Sequence, residues 1–193
     1  MRKILDEDPR RWVITLALST GVVSGLTIAT VPGLPGYLPR PIVAVAGMTL
    51  LPLVSLVGLF VGGFLVRVTG GWLEGRGDGV AVRSALAWSL VPGLCIGLLF
   101  VLPQNLLLAA LGGDFDPADP FADPGYLLAR LVFGFIGLGL GIWQLVIKMK
   151  CLGEAHRFSA WRAFGAYILA WLLVFAPLAV LVAGAVVFLS TLS

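Results

Sequence analysis

The sequence predicts an all-α integral membrane protein with five transmembrane helices, an N-terminus in the cytoplasm and a C-terminus outside. The chain has 193 residues, of which 59% are hydrophobic and only 12% charged. Soluble globular domains carry about 25% charged residues, so lipid must be the solvent for much of this chain. The second observation is where the basic residues fall, because Lys and Arg are retained on the cytoplasmic side of a membrane.

Eleven of the 13 Lys and Arg residues lie in alternate gaps between five apolar stretches. The exceptions are Arg40 and Arg130. The eleven residues on the predicted cytoplasmic side are Arg2, Lys3, Arg10, Arg11, Arg67, Arg76, Arg83, Lys148, Lys150, Arg157 and Arg162. This alternation predicts the topology, and an odd number of crossings places the two termini on opposite sides.

The apolar stretches have the length that a bilayer requires. A hydrocarbon layer about 30 Å thick takes about 20 residues of helix, at about 1.5 Å per residue. Unbroken apolar runs also lack the alternation of barrel strands. We therefore predict one domain over residues 1–193, with five helical spans at residues 13–31, 42–66, 84–111, 126–147 and 164–189.

The four connections differ in composition. Residues 32–41 are rich in Pro and Gly, which predicts a tight outer hairpin. Residues 67–83 form a glycine-rich, basic inner connection, and the outer connection that follows repeats the dipeptide Asp-Pro three times. Residues 148–162 are polar without many turn-forming residues, so the fourth helix can continue beyond the lipid, and we expect this connection to be solvated.

Glycines spaced four residues apart mark four of the five spans. Such pairs let helix backbones approach closely, which matters in lipid because no hydrophobic force drives helices together. The pattern suits packing within one bundle, and it equally suits self-association or a partner helix. The candidate packing residues are Gly21, Gly25, Gly58, Gly62, Gly93, Gly97, Gly137 and Gly141.

Four polar residues inside the apolar stretches form a candidate intramembrane site: Gln104, Asn105, Arg130 and Gln144. Polar groups are costly in lipid and often mark substrate pathways. Each also has a simpler interpretation. Arg130 lies near the outer boundary and can extend to the headgroups, and an amide after Pro103 can satisfy the carbonyl that proline leaves unpaired.

Catalytic, metal and cofactor sites are not predicted. The single histidine, His156, has Cys151 and Glu154 nearby, but this grouping lacks the paired spacing of zinc motifs. No nucleophile with a base is apparent in the pattern, so we do not expect an enzyme. The net charge of +3 is spread over three loops, which does not favour nucleic-acid binding.

Two regions resemble a known family. The first is the inner loop Gly70-Gly-Trp-Leu-Glu-Gly-Arg-Gly-Asp-Gly79, followed by the start of the third span through Pro92. The second runs from Trp143 to Ala163 and includes Ser159-Ala-Trp-Arg-Ala163. Together they are similar to compact bacterial members of the YIP1 family of five-span membrane proteins.

The resemblance implies a fold and a membrane location rather than an activity. Eukaryotic members are linked to vesicle traffic and to small prenylated GTPases through a region that contains Asp-Leu-Tyr-Gly-Pro. That stretch does not occur in this sequence, so GTPase binding is not carried over.

The sequence therefore predicts a non-enzymatic, multi-pass protein of the bacterial cytoplasmic membrane. We expect it to organise the membrane through contacts with lipid and with copies of itself or another membrane protein. A channel, transporter or scramblase for a small solute, ion or lipid is the alternative, and it requires the four polar residues to line a common cavity.

Overall fold

The described part of the protein consists of helices joined by short turns. The computed structural model describes residues 12–31, 39–111 and 124–192. The segments, numbered in chain order, are α1 (Val13–Ala29), α2 (Arg40–Trp72), α3 (Gly79–Trp88), α4 (Val91–Ile96), a π-helical turn (Gly97–Val101), α5 (Leu102–Leu111), α6 (Pro124–His156) and α7 (Ala160–Leu192). The prediction of an all-α fold is confirmed for these ranges.

Four helical runs are long and apolar enough to cross a membrane, by length and composition: Arg40–Trp72, Gly79–Leu111, Pro124–His156 and Ala160–Gly184. The apolar helix α1 has 17 residues. That corresponds to about 25 Å, a few ångströms less than the hydrocarbon layer. That α1 crosses the membrane stays a prediction. The count of five spans and the placement of the termini on opposite sides depend on this crossing, so they stay predictions as well.

The end of α1 comes two residues before the predicted end of the first span. The amide of Thr30 donates to the carbonyl of Thr27, and that of Val31 donates to Ile28. These bonds reach back three residues instead of four, which tightens the last turn and ends the helix.

The third predicted span begins earlier than expected and is interrupted. Helix α3 starts at Gly79 because Asp78 caps it, accepting a hydrogen bond from the amide of Ala81 at 2.6 Å. Residues 89–90 separate α3 from α4, and Pro92 occupies the first turn of α4, where its missing N–H is tolerated.

A π-helical turn, Gly97–Val101, precedes Pro103. Proline in a helix removes one backbone hydrogen bond and clashes with the preceding turn. A wider turn just before it gives the ring room, and π-turns typically occur as single turns within α-helices.

The main core lies at one end of the bundle, where α2 and α6 end and α3 and α7 begin. Its buried members are Val66, Val82, Ala85, Met149, Leu152, Ala155, Ala163 and Ala170. Most large apolar side chains elsewhere are exposed, as expected where lipid contacts the helices. The basic residues Arg67, Arg76, Arg83 and Lys150 also lie at this end, which we call the inner end. Its placement on the cytoplasmic side stays a prediction.

Candidate functional site

At the inner end, α2 ends in a Schellman motif. The amide of Gly75 donates to the carbonyl of Gly70 at 2.8 Å, and that of Glu74 donates to Gly71 at 3.1 Å. The turn requires a left-handed residue, which is usually glycine, yet here it is Glu74 with φ 65°.

Helix α6 ends in the same way. The amide of Phe158 donates to the carbonyl of Gly153 at 3.0 Å, and that of Arg157 donates to Glu154 at 3.3 Å. Arg157 is the left-handed residue, with φ 58°. Both helix C-termini therefore have their last carbonyls partly satisfied by tight turns.

His156 is enclosed where these two helix ends meet. Its ring contacts Gly70, and a Cβ added to Gly75 or Gly77 would lie 2.7 or 2.8 Å from its Nδ1 atom. Phe158 stacks on the other face, with ring centroids 5.0 Å apart. We call Gly70, Gly75, Gly77, His156 and Phe158 the glycine–histidine cap. Glycine is required at the three positions because any side chain would occupy the space of the imidazole.

The cap corrects one sequence prediction. His156 was expected in a solvated loop, but it is the last residue of α6 and is 1% exposed. The reason is that the glycine-rich loop, some 80 residues earlier in the chain, folds back over it. The residues near His156 in the sequence include charged ones, so they do not indicate that a distant loop buries it.

The buried imidazole is uncharged at neutral pH. Neither ring nitrogen has a hydrogen-bond partner among the described residues, and burial lowers the pKa of His156 from its ordinary value. The Val66 carbonyl faces the ring and opposes this pKa shift, without forming a hydrogen bond of good geometry. His156 lies nine residues beyond the predicted fourth span, outside the lipid-spanning part of α6. Burying a polar group without a hydrogen-bond partner costs about 1–3 kcal/mol. The other contacts of the cap must outweigh this cost.

Cys151 and Glu154 do not complete a metal site with His156. In residues 12–31, 39–111 and 124–192, no group of three His, Cys, Asp or Glu side chains is placed to hold a metal ion. Glu154 is exposed, whereas His156 is enclosed by glycine backbone.

Asn105, one of the four candidate polar residues, links two helices. It is 6% exposed. Its side-chain amide donates to the Thr27 carbonyl at 3.0 Å and to the Thr30 hydroxyl at 3.2 Å. The carbonyl belongs to the last turn of α1, where it also accepts hydrogen bonds from the Thr30 amide at 3.3 Å and the Thr30 hydroxyl at 2.9 Å. Asn105 thus supplies a polar cap to α1 from α5.

The other candidates lie elsewhere. Gln144 packs against Gly93, whose added Cβ would lie 2.5 Å from the Gln144 amide nitrogen. Gly93 and Asn105 are twelve residues apart on the third helical run, a separation of about 18 Å. Gln104 is half-buried and Arg130 is exposed. The structure therefore places Asn105 and the contact of Gln144 with Gly93 at different positions along the third helical run.

Some of the candidate packing glycines lie in close helix contacts. Gly21 packs on the backbone of Pro52, and a Cβ on Gly25 would lie 2.5 Å from the carbonyl carbon of Gly47. These contacts bring α1 against α2 at backbone distance. Gly97 meets the Val23 side chain, at 2.6 Å from an added Cβ.

Other candidate glycines face open space. An added Cβ on Gly58, Gly62 or Gly141 would meet nothing within 4 Å among the described residues, and Gly137 makes only an ordinary contact with Phe100. Four-residue spacing alone does not distinguish the packed pairs from the open ones.

Sequence reasoning missed the contact between α2 and α7. Thr69, fully buried, donates its hydroxyl to the Ala166 carbonyl at 2.8 Å. Ala163, Ala166 and Ala170 are buried and spaced three and four residues apart, so they form a small-residue face. That spacing was a usable signal, hidden because alanine is common in apolar helices.

The long apolar helices define a multi-pass membrane protein. The family model of the Yip1 domain matches residues 1–181, and the chain therefore belongs to the Yip1 family. The resemblance seen in the two motifs is confirmed, and both motifs contribute to the glycine–histidine cap. No curated protein and no solved structure matches the chain.

Proposed function

We propose that this protein is a non-enzymatic organiser of a bacterial cytoplasmic membrane, acting through contacts with membrane proteins, including copies of itself, and with lipid. Membership of the Yip1 family and the set of apolar helices support a role within the membrane. In the proposed topology, the N-terminus and the glycine–histidine cap face the cytoplasm and the C-terminus lies outside.

The open face of α6 is the observation that supports this proposal most. In an 18-residue apolar window of α6, none of the residues is buried by the rest of the described chain. In the corresponding window of the run Gly79–Leu111, 22% of the residues are buried. Gly134 and Gly141 on this helix face open space. Helix association in lipid depends on close backbone approach at small residues, so this face suits a second helix.

The cap gives that face a fixed orientation. The inner end of α6 is anchored by the hydrogen bond from the Arg76 amide to the His156 carbonyl, at 3.0 Å. A helix held at one end presents the same side to every partner, which lowers the ordering cost of binding.

Cysteine cross-linking in native membranes tests the proposal. Cys95 and Cys151 are first replaced by alanine, and single cysteines are then introduced as Gly134→Cys and Gly141→Cys. We expect both to form disulfide-linked dimers, or adducts with a specific membrane protein. The matched control is Ile136→Cys, since residue 136 is 46% exposed but points about 200° away from residue 134.

Equal cross-linking at positions 134, 136 and 141 would indicate random collisions and contradict the proposal. Purification in mild detergent as a monomer without a co-purifying protein would count against it in the same way. Selective adducts at 134 and 141 would support it and identify the partner by mass.

A further inference from the structure

A narrow groove of about 390 Å³ lies on the side of the bundle, between α2, α3 and α7. This volume falls within the range of about 300–1,000 Å³ that small-molecule sites occupy. The groove is bounded by Gly58 and Gly62 on one side and by Tyr167, Trp171 and Phe175 on the other.

The groove is open because glycine forms part of its wall. A Cβ on Gly58 or Gly62 would meet nothing within 4 Å among the described residues. Trp171 and Phe175 stack with centroids 4.9 Å apart and an interplanar angle of 8°, which gives the opposite wall a flat apolar surface. The hydroxyl of Ser89, which also lines the groove, donates its hydrogen bond to the Leu86 carbonyl at 2.6 Å. The interior therefore favours hydrocarbon over water.

The length of the groove suits one extended acyl chain. On α2 it extends from Val66 to Ser55, and on α7 from Tyr167 to Phe175. These intervals correspond to about 16 Å and about 12 Å of helix. Half of a hydrocarbon layer is about 15 Å deep. The groove thus follows the helix axes over roughly the depth of one lipid leaflet.

A cation lies at the inner end of this apolar groove. Lys148, on α6, contributes to its lining, and the ammonium nitrogen is 5.3 Å from the centroid of the Tyr167 ring. Lys148 directly follows the predicted fourth span, at the level of lipid headgroups. Basic groups between membrane helices attract anionic headgroups, so the charge complements a phospholipid whose acyl chain enters the groove.

We propose that this groove binds one acyl chain of an anionic glycerophospholipid of the inner leaflet, with its headgroup at Lys148. The inference rests on the proposed function for its biological role, and it names the lipid class with which that function operates. The binding itself is independent of any protein partner.

Photolabelling of the full chain tests this inference. The protein is placed in phosphatidylcholine nanodiscs that contain a minor fraction of phosphatidylglycerol with a diazirine in its acyl chain. We expect labels on the groove residues of α2 and α7, and weaker labelling there by the equivalent phosphatidylcholine probe. Lys148→Gln should lower the preference for phosphatidylglycerol about five-fold. Lys150→Gln should leave it unchanged, because Lys150 is exposed and outside the groove.

Filling the groove provides the second test. Gly58→Leu combined with Gly62→Leu should abolish most groove labelling, whereas Gly139→Leu should not, although all three glycines face open space among the described residues and residue 139 lies outside the groove. If the double variant does not fold, the Lys148→Gln comparison decides. Equal groove labelling by the two lipids, unchanged labelling after filling, or peptide cross-links showing a second copy in the groove would overturn the inference. Absence of groove labelling in the natural chain, with selective cross-linking at positions 134 and 141 still observed, would overturn this inference alone.

Discussion

The backbone amide of Arg76 donates a hydrogen bond to the carbonyl of His156 at 3.0 Å. This bond joins two segments that are 80 residues apart: the glycine-rich loop after α2 and the turn after α6. The two segments carry the family resemblance, and the structure brings them into one cap at the inner end. The fold therefore explains why a glycine-rich loop and a histidine-containing turn occur in the same chain.

Gly70→Ala should destabilise the protein. The new methyl group would overlap the His156 ring, whose other sides are occupied by Gly75, Gly77 and Phe158. Adding a methyl group to a packed site typically costs about 1–3 kcal/mol. The measurement is the thermal unfolding midpoint in detergent, which should fall.

Gly71→Ala is the matched control for this substitution. The neighbouring glycine is also in α2, but its Cβ would meet nothing within 4 Å among the described residues. Alanine is favoured over glycine in helices by about 0.5–1 kcal/mol, so this variant should be as stable as the natural chain or more so. Equal losses in both variants would contradict the glycine–histidine cap.

Acidification should weaken the cap. The pKa of His156 in the folded protein is lowered by burial from its ordinary value of about 6.5. The unfolded chain therefore binds more protons below that pH, and stability falls as the pH drops. The contribution of uncharged His156 to the free energy of unfolding is fully present above about pH 6.5. It decreases as the pH falls, and the decrease levels off once the pH is below the pKa of His156 in the folded protein.

The pH dependence can be assigned to one residue, because the chain has a single histidine. Unfolding midpoints at about pH 7.5 and about pH 5.5 bracket its ordinary pKa. The midpoint of the natural chain should fall between them, and His156→Asn should remove most of that fall because asparagine does not titrate there. An unchanged pH dependence in the variant would exclude His156 as the cause.

The predicted topology of five crossings requires α1 to span the membrane. With 17 residues it is shorter than the other candidate spans, but it packs along α2, which can bury part of its surface. We expect reporter fusions at residues 1 and 193 to lie on opposite sides of the membrane, as five crossings require. Reporters on the same side would contradict five crossings.

Much of the fold was predictable because apolar stretches and basic loops act locally. The end of α2 was less predictable, since the helix reaches Trp72, well past Arg67, where the apolar stretch stops. The continuation of α6 to His156 agrees with the expectation, from the polar and turn-poor residues 148–162, that this helix extends beyond the lipid. Hydropathy reports where lipid ends, whereas a helix continues as long as its backbone hydrogen bonds are made. The cap could not be predicted, since its members meet only through folding.

Gly25→Ala should separate α1 from α2. The added methyl group would lie 2.5 Å from a backbone atom of Gly47, and backbone cannot move aside as a flexible side chain can. We expect a loss of about 1–3 kcal/mol, measured by thermal unfolding in the same detergent. Gly139→Ala, at an open position of α6, serves as the control and should cost nothing. If the two variants behave alike, the close approach of α1 and α2 does not contribute to stability.

The glycine spacing alone predicted contacts at Gly25 and Gly58 equally, yet only the former has a neighbour among the described residues. Which glycine of a pair is packed depends on the rotation of each helix, and a uniformly apolar helix carries little information about rotation. The polar residue Asn105 was a better guide, because a buried amide in lipid must find a partner.

Asn105→Ala should loosen the junction between α5 and the end of α1. The variant removes the hydrogen bonds to the Thr27 carbonyl and the Thr30 hydroxyl, at 3.0 and 3.2 Å. Interhelical hydrogen bonds in membrane proteins contribute about 0.6 kcal/mol on average and up to about 1.7 kcal/mol, so the loss should fall in that range. A double-mutant cycle with Thr30→Val measures the coupling between the two side chains. Because the Thr30 hydroxyl also donates to the Thr27 carbonyl at 2.9 Å, the coupling includes the effect of its loss on that carbonyl. A coupling energy clearly above zero, from unfolding midpoints of the four proteins, would support a direct bond. Additive effects would contradict a coupled contact between Asn105 and Thr30.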